Sequence, residues 1–328
     1  MEKNYIWTDK YKPKKLDDIV SHKLNINILE LLIKKGNLPH TIFYGKSGIG
    51  KTSTIYACAK KIYNTKINSR ILELNASDER GIEVIRSKIK TFASTTNLFN
   101  TGIKLVILDE ADLMTSDAQI ALKKIIELYI KNCRFCIICN NINKLIPEIQ
   151  SRCMKIRFEP IKKEHALSKL TYICEKESIK ITDSALNVII EHSNSDLRKM
   201  INMLQSVSII NKSNITKVNV YKFLNIMNST QEDVFKKFIK NNTYIQIYEL
   251  LSSYITTYNY SIVDIINLIY KFIQQIESID TKNSGLLLDN IINLADLEYR
   301  ISCGIDNNIV TGYIVSILWN IKHIIVDK

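Results

Sequence analysis

The stretch Gly45-Lys46-Ser47-Gly48-Ile49-Gly50-Lys51-Thr52 has the spacing G-x-x-x-x-G-K-T, and the rest of the fold is organised around it. An apolar run over 40–44 predicts a short strand before it, and apolar residues at helical spacing over 55–62 predict a helix after it. Glycines let successive backbone amides turn towards an anion, and the following helix adds partial positive charge at its N-terminus. Strand, loop and helix in this order predict a phosphate-binding loop rather than a chance glycine turn.

The loop supplies the predicted ligands of a nucleotide and its metal ion. Lys51 is expected to contact the β- and γ-phosphates, and the Thr52 hydroxyl is expected to bind Mg²⁺. The loop therefore predicts a nucleoside triphosphate and Mg²⁺ as ligands. The other nucleotide-binding residues predicted in or beside the loop are Gly45, Lys46, Ser47, Gly48, Ile49, Gly50 and Ser53.

Length and charge further limit the possible domain organisation and partners of the chain. The 328 residues are enough for two or three domains. No run of about 20 apolar residues occurs, which predicts no membrane span. Residues 1–160 hold 27 Lys and Arg against 16 Asp and Glu, whereas residues 161–328 hold 18 against 17. This excess makes the N-terminal half the candidate for a polyanionic partner, although a solubilising surface would have the same composition.

Predicted strands alternate with helices up to residue 160, and only helical patterns follow Pro160. Such alternation is typical of a parallel sheet with helices on both faces. The predicted fold class is therefore α/β, with a nucleotide-binding domain over 1–160 and two all-α domains over 161–228 and 229–328. The predicted strands cover 40–44, 70–74, 104–108, 134–139 and 155–158. The predicted later helices cover 163–177, 183–192, 197–210, 217–227, 231–240, 244–258, 262–279, 286–302 and 308–326.

Polar residues follow two of the predicted strands. Ligands of α/β sheets bind beside the carboxyl ends of strands, so Asp109 is expected to hold Mg²⁺ and Glu110 to polarise the attacking water. Asn140 is expected to orient water beside the γ-phosphate, although an asparagine at a strand end also suits a turn. In one-letter code Asp109-Glu110-Ala111-Asp112 is D-E-A-D, a motif that also gives its name to a helicase family. Those helicases carry a second sheet domain, whereas this chain continues with helices.

Two arginines could contribute to catalysis. Arg152 precedes the last predicted strand, where it is either a salt-bridged surface residue or an arginine finger that reaches a neighbour's nucleotide. Arg198 begins a helix of the first all-α domain, where it either contacts the γ-phosphate or faces solvent. The sequence alone leaves both alternatives open.

Three cysteines have the spacing C-x-x-C-x-x-C, which is also found in metal sites. On a strand, Cys133 and Cys139 would face one side and Cys136 the other. The residues between them are strand formers, so we interpret all three as core thiols. The seven cysteines of the chain are scattered, which predicts reduced thiols in an intracellular protein.

Several short motifs occur in one order, densely over residues 5–160 and more loosely beyond. Together they closely resemble the small subunits of replication factor C, the eukaryotic sliding-clamp loader. Residues 92–94 and 134–140 are most similar to the small subunit in the middle of that five-subunit ring. The motifs are Trp7 with Tyr11-x-Pro13, Leu38-Pro39-His40, the phosphate-binding loop, Leu74-Asn75-Ala76-Ser77-Asp78-Glu79-Arg80-Gly81, Asp109-Glu110-Ala111-Asp112 and Ser151-Arg152-Cys153.

The resemblance implies a fold, an activity and a set of partners. The fold is an AAA+ module, a helical lid over 161–228 and a helical collar over 229–328 that joins subunits. The activity is an ATPase that opens a ring-shaped sliding clamp and loads it at primer–template junctions during DNA replication and repair. The partners are the other subunits of a hetero-pentamer, the clamp and primer–template DNA, and the location is the nucleus.

The resemblance also assigns roles to single residues. It implies that Asn140 and Arg198 sense the nucleotide, and that Arg152 is the finger that acts on the neighbouring subunit's site. The residues implied near the adenine are Thr8, Lys12 and Val20. The family usually has Pro, Pro and Thr at the positions of Lys46, Ser47 and Ile49, but the backbone cradle needs only the glycines.

Two surfaces are assigned to macromolecular partners. Arg80, Arg86 and Lys90 are predicted to hold DNA through its phosphates, because they lie on the turn and helix after the second strand of the basic half. A solvated basic face is the alternative. Leu98 and Phe99 are predicted to bind the clamp, since the family has a similar apolar tip there. The alternative is that both side chains fold back into the core.

Two other functions are compatible with the motifs. One is a different AAA+ DNA machine, such as a ring-shaped branch-migration motor, which the Ser-Arg-Cys motif and the long helical C-terminal part disfavour. The other is a structural subunit that binds nucleotide and donates Arg152 without hydrolysing ATP. Intact Lys51, Thr52, Asp109 and Glu110 favour hydrolysis.

Overall fold

The structure is a computed structural model of the chain. It divides into two compact units, Met1–Ile215 and Thr216–Lys328. The predicted partner-binding residues Arg80, Leu98 and Phe99, and the side chain of Arg86, lie outside what the structure describes. The described residues are 6–63, 67–76, 82–94, 103–210, 214–227, 233–234, 237–239, 242–256, 260–277 and 284–326.

Within the described part of the first unit, five strands form one parallel sheet in the order β2-β3-β4-β1-β5. Leu105 to Leu108 are all buried, as expected of a strand that is covered on both faces. This confirms the predicted α/β class. The strands are β1 (Thr41–Tyr44), β2 (Ile71–Asn75), β3 (Lys104–Asp109), β4 (Cys133–Cys139) and β5 (Met154–Arg157).

The register of the sheet decides where its polar strand ends meet. Tyr44 pairs with Cys139, and Leu108 pairs with Ile137 in the next ladder. The carboxyl ends of β1, β3 and β4 therefore lie side by side at one edge. This edge carries the phosphate-binding loop, the acidic pair and Asn140, as the strand-end argument predicted.

Helices cover the sheet and continue beyond it. Thr115 and Thr182 cap two of them, because each hydroxyl accepts a hydrogen bond from the backbone amide three residues later, at 3.3 Å. The helices of the first unit are α1 (Trp7–Lys10), α2 (Lys23–Lys34), α3 (Lys51–Tyr63), α4 (Ile67–Arg70), α5 (Ile82–Ser94), α6 (Ser116–Leu128), α7 (Pro147–Gln150), α8 (Lys163–Lys176), α9 (Asp183–His192) and α10 (Leu197–Ile210).

The thiols of β4 belong to the core. Cys133 and Cys139 pack in one cluster with Val106, Leu108 and Phe135. All six cysteines at or before position 174 are buried, and burial raises the pKa of Cys139 to about 12. Among the described residues, no group of three or more His, Cys, Asp or Glu side chains is arranged to hold a metal ion. These contacts agree with core thiols.

Every regular element described in the second unit is a helix. Buried residues such as Ile247, Ile269 and Leu318 form its core. Half of the predicted helix over 231–240 lies outside the described residues, and its described residues, 233–234 and 237–239, are helical. No described helix of the chain has the length and apolar character needed to cross a membrane. The helices are α11 (Lys217–Leu224), α12 (Tyr244–Thr256), α13 (Ile262–Glu277), α14 (Ser284–Ser302) and α15 (Asn307–Val326).

Substitution of the fully buried Ile107 of β3 tests how much the sheet core contributes to the stability of the first unit. We expect Ile107→Ala to lower the free energy of unfolding by about 2–5 kcal/mol, because it leaves a cavity in a close-packed core. Ile120→Ala on α6, where the side chain is 47% exposed, should change it by no more than about 0.5 kcal/mol. Urea denaturation followed by circular dichroism measures both. Equal effects would contradict a core centred on β3.

Candidate nucleotide site

The loop between β1 and α3 has the backbone that its glycines predict. Gly45, Gly48 and Gly50 have φ values of 146°, 68° and 97°, which side-chain-bearing residues rarely adopt. A Cβ on Gly45 would lie 2.3 Å from the Phe158 carbonyl oxygen, and a Cβ on Gly48 would lie 1.7 Å from an oxygen of Asp196. The Phe158 backbone therefore requires glycine at position 45 as strictly as its φ does, whereas a Cβ at position 48 would displace the Asp196 side chain.

The Lys51 ammonium lies inside this loop. Nζ donates to the carbonyl oxygens of Gly45 and Lys46, each at 2.6 Å, and to Oδ1 of Asn140 at 3.0 Å. Burial lowers the pKa of Lys51, and the carboxylate of Asp109 opposes that shift. The loop therefore holds the cation predicted to contact the phosphates beside Asn140, the residue predicted to orient water.

Thr52 and Asp109 form the second pair of the site. The Thr52 hydroxyl donates to Oδ2 of Asp109 at 2.8 Å. A hydroxyl and a carboxylate are oxygen donors of the kind that Mg²⁺ prefers. This pair therefore fits the predicted metal ion.

The turn after β3 is strained. Glu110 has φ 54° and ψ 35°, the left-handed region, and its backbone amide donates to Oδ1 of Asp109 at 2.9 Å. A left-handed residue other than glycine costs roughly 1–3 kcal/mol, and such residues cluster at functional sites. Next to it, Oδ1 of Asp112 accepts the backbone amide of Asn140 at 3.3 Å. The two strand ends are thus joined directly.

Helix α10 closes the site from the other side. Its first amide, Leu197 N–H, donates to the Gly48 carbonyl at 3.1 Å. Oδ1 of Asp196 accepts the Lys199 amide at 3.0 Å and so caps the helix. Arg198 is exposed and lines the cleft between the helix and the loop. The structure therefore brings Arg198 to the predicted site.

A histidine supports the loop from behind. The His22 ring lies 4.8 Å from the Phe158 ring, and its Nε2 lies 3.3 Å from the Ile49 carbonyl oxygen. Burial lowers the pKa of His22, so the neutral ring is favoured and can donate from Nε2. The Ile49 backbone is therefore supported by the His22 ring, which packs against Phe158.

These elements enclose a cleft of about 340 Å³. Gly45, Lys46 and Ile49 contribute to the loop behind the cleft surface. Val20 lies instead beside a neighbouring cavity of about 470 Å³, which Tyr11, Lys12 and Pro13 separate from the cleft. The predicted site residues that line the cleft are Thr8, Lys12, Ser47, Gly48, Gly50, Lys51, Thr52, Ser53, Asp109, Glu110, Asn140 and Arg198.

The remaining predicted residues lie elsewhere. Nη2 of Arg152 is 2.7 Å from Oε1 of Glu127 on α6, and its Nη1 donates to the Glu148 carbonyl oxygen at 2.8 Å. Arg152 is thus a salt-bridged surface residue within this chain. Lys90 is exposed and lies beside α6 with Lys124.

Sequence reasoning missed Asp196 and His22. Both act on the loop through contacts that join distant parts of the chain, at Gly48 and at Ile49. The one available signal was the position of Asp196 directly before the helix that carries Arg198, where an aspartate is a preferred cap.

Family models cover most of the chain. Residues 41–161 match the ATPase family associated with various cellular activities, AAA. Residues 163–219 match the RFC1-like AAA+ ATPase lid domain, and residues 226–316 match the replication factor C C-terminal domain.

A solved structure of similar fold is the Holliday junction branch migration motor RuvB of Thermotoga maritima. It aligns with a TM-score of 0.53 over 70% of this chain and 80% of that chain. The sequence identity is 16%, so this likeness supports the fold alone.

Relatives align over nearly the whole chain. Probable replication factor C subunit 5 of Dictyostelium discoideum is 41% identical over 318 residues, which are 94% of this chain and 89% of the relative. Subunit 5 of Homo sapiens is 36% identical over 99% of this chain and 95% of its own length. Replication factor C subunit 3 of Schizosaccharomyces pombe is 39% identical over 92% of this chain and 87% of its own length. The chain therefore belongs to the replication factor C family, and it is an AAA+ ATPase subunit of the clamp loader of DNA replication.

Proposed function

We propose that this chain binds ATP with Mg²⁺ in the cleft between the loop and α10, and that it hydrolyses ATP to open and load a ring clamp at primer–template junctions. The single observation that carries the catalytic part is the set of contacts at the sheet edge. Lys51 reaches Asn140, and Thr52 reaches Asp109, although these partners lie on three different elements.

Each residue of the edge has a distinct part in this mechanism. Lys51 neutralises charge on the β- and γ-phosphates, and Asn140, already hydrogen-bonded to it, orients the attacking water. Glu110 accepts a proton from that water, while Arg198 contacts the γ-phosphate from α10. Thr52 and Asp109 would hold Mg²⁺, which when bound neutralises phosphate charge.

Arg152 acts in this proposal on the neighbouring subunit. It does not line its own cleft, and it is held on the surface by Glu127 of α6. An arginine finger supplied to a neighbour neutralises charge in the transition state of phosphoryl transfer. Hydrolysis would then depend on assembly of the hetero-pentamer, where we place this chain at the middle position.

The remaining partner surfaces follow from charge and exposure. We assign primer–template DNA to Arg80, Arg86 and Lys90, supported by the exposed position of Lys90 and the excess of Lys and Arg over residues 1–160. We assign the clamp to Leu98 and Phe99, supported by two large apolar residues in a polar stretch. A nuclear location follows from a role in DNA replication.

Lys51→Ala should weaken ATP binding by about 10–150-fold, the equivalent of one charge-assisted hydrogen bond at 1.5–3 kcal/mol. Lys60→Ala on the same helix is the control, because Lys60 is exposed and lies away from the cleft. Equilibrium titration with a fluorescent ATP analogue measures both. Undiminished binding by Lys51→Ala would remove the loop from the nucleotide site.

Glu110→Gln should retain ATP affinity and lower turnover by about 10²–10⁴-fold, because the carboxylate acts on water and not on the phosphates. Phosphate release by the assembled complex, with every other subunit made inactive, measures the rate. Glu164→Gln, an exposed change on α8, should leave both quantities unaltered. Normal turnover in Glu110→Gln would favour the alternative that this chain binds nucleotide without hydrolysing it.

Arg152→Ala should leave this chain's own ATP affinity intact and lower hydrolysis at the adjacent subunit's site by about 10³–10⁵-fold. Arg152→Lys should restore only part of the rate, because lysine lacks the planar fork of arginine. The assay uses complexes in which only the adjacent site can hydrolyse, with Glu148→Gln as the control. Equal rates with and without Arg152 would show that it is only a surface residue.

A further inference from the structure

A segment near the N-terminus forms one wall of the cleft. We name residues 7–13 the strap, because Thr8, Tyr11, Lys12 and Pro13 all line the cleft. Three of its hydrogen bonds join it to residues more than 150 positions away. The wall therefore depends on packing against later helices.

Glu177, which directly follows α8, is the main attachment of the strap. Its Oε1 accepts a hydrogen bond from Lys10 Nζ at 2.6 Å and another from the Tyr11 hydroxyl. The Glu177 side chain is 17% exposed, so water competes only partly for this carboxylate. Burial raises the pKa of Glu177, but the two hydrogen bonds and the charge of Lys10 together lower it by more, so the carboxylate is ionised near neutral pH.

Two further contacts attach the strap to the helices that follow the sheet. The Tyr11 ring meets the Tyr172 ring of α8 edge to face, at 6.4 Å between centroids. The Trp7 amide donates to Oε1 of Gln205 on α10 at 3.0 Å. Since α10 also carries Arg198, the strap and the arginine share one support.

The strap packs beside α3 on the side of the cleft away from the residues predicted to contact the phosphates. Lys12 Nζ lies 5.0 Å from the centre of the Tyr56 ring on α3. Tyr56 is one helical turn beyond Thr52, roughly 6 Å further along the axis. With phosphates at Lys51 and Thr52, the sugar and base would extend towards the strap.

We propose that Glu177 is a positioning residue for nucleotide binding, which fixes the strap to α8 and so keeps the base-side wall of the cleft in place. This inference rests on the proposed binding of ATP in the cleft. Glu177 acts through Tyr11 and Lys10 and does not line the cleft itself. Its loss should therefore speed nucleotide release and leave the phosphate contacts unaltered.

The experiment uses the full chain and two probes, a fluorescent ATP analogue and inorganic tripolyphosphate. Glu177→Gln keeps the shape of the side chain and removes its charge, and Tyr11→Phe keeps the ring and removes the hydroxyl. We expect each to raise the dissociation rate of the ATP analogue by about three- to tenfold. The double variant should add little, because both changes remove one shared contact.

Glu175→Gln is the matched control, since Glu175 is exposed and lies two positions earlier, in the last turn of α8. It should leave release of the analogue unaltered. Tripolyphosphate, which has no base or sugar, should bind equally well to every variant. That combination would separate positioning of the base side from a general loss of structure.

Unchanged release in both single variants would overturn the inference, as would an equal loss of tripolyphosphate and ATP affinity. Additive effects in the double variant would also contradict it, because they would mean that Tyr11 and Glu177 act independently. Failure of the proposed function is distinguishable, since the unaltered chain would then bind no ATP, and the inference would fall with it.

Discussion

The site depends on the position of one buried cation, the Lys51 ammonium. It lies in the loop because Gly45 and Lys46 turn their carbonyl oxygens towards it, and it reaches Asn140 because β1 and β4 are parallel neighbours. A buried charge is unfavourable unless it is hydrogen-bonded and balanced. Asp109 and the loop carbonyls supply that balance. The order of the strands therefore decides which groups surround the Lys51 ammonium in the cleft.

The loop is held on two sides by residues that leave it little freedom. Phe158 and His22 pack behind it, while Asp196 and the first amide of α10 contact Gly48 in front. The cleft is therefore assembled from the sheet and from the helices after it. A nucleotide that fills the cleft would contact both the sheet and these helices. Its binding could therefore change how the helices are held against the sheet.

The two cationic arginines of the predicted mechanism face different surroundings. Arg198 is exposed at the cleft, whereas Arg152 is paired with Glu127 on the outer surface of α6. A surface ion pair contributes about 0.2–1 kcal/mol. It is weak enough for a better anionic partner to replace Glu127, which suits an arginine that acts on another subunit.

The sequence by itself determined the phosphate-binding loop, the parallel sheet and most helix boundaries, including those of α9 and α10. These features follow from spacing and periodicity within a few residues, so they can be read locally. Only the tertiary structure decided that Tyr11 meets Glu177, 166 positions away, and that the Leu197 amide meets the Gly48 carbonyl. It likewise placed Val20 beside a neighbouring cavity and Arg152 against Glu127. Such contacts are set by how helices pack around the sheet, and no local pattern encodes the partner of a single side chain.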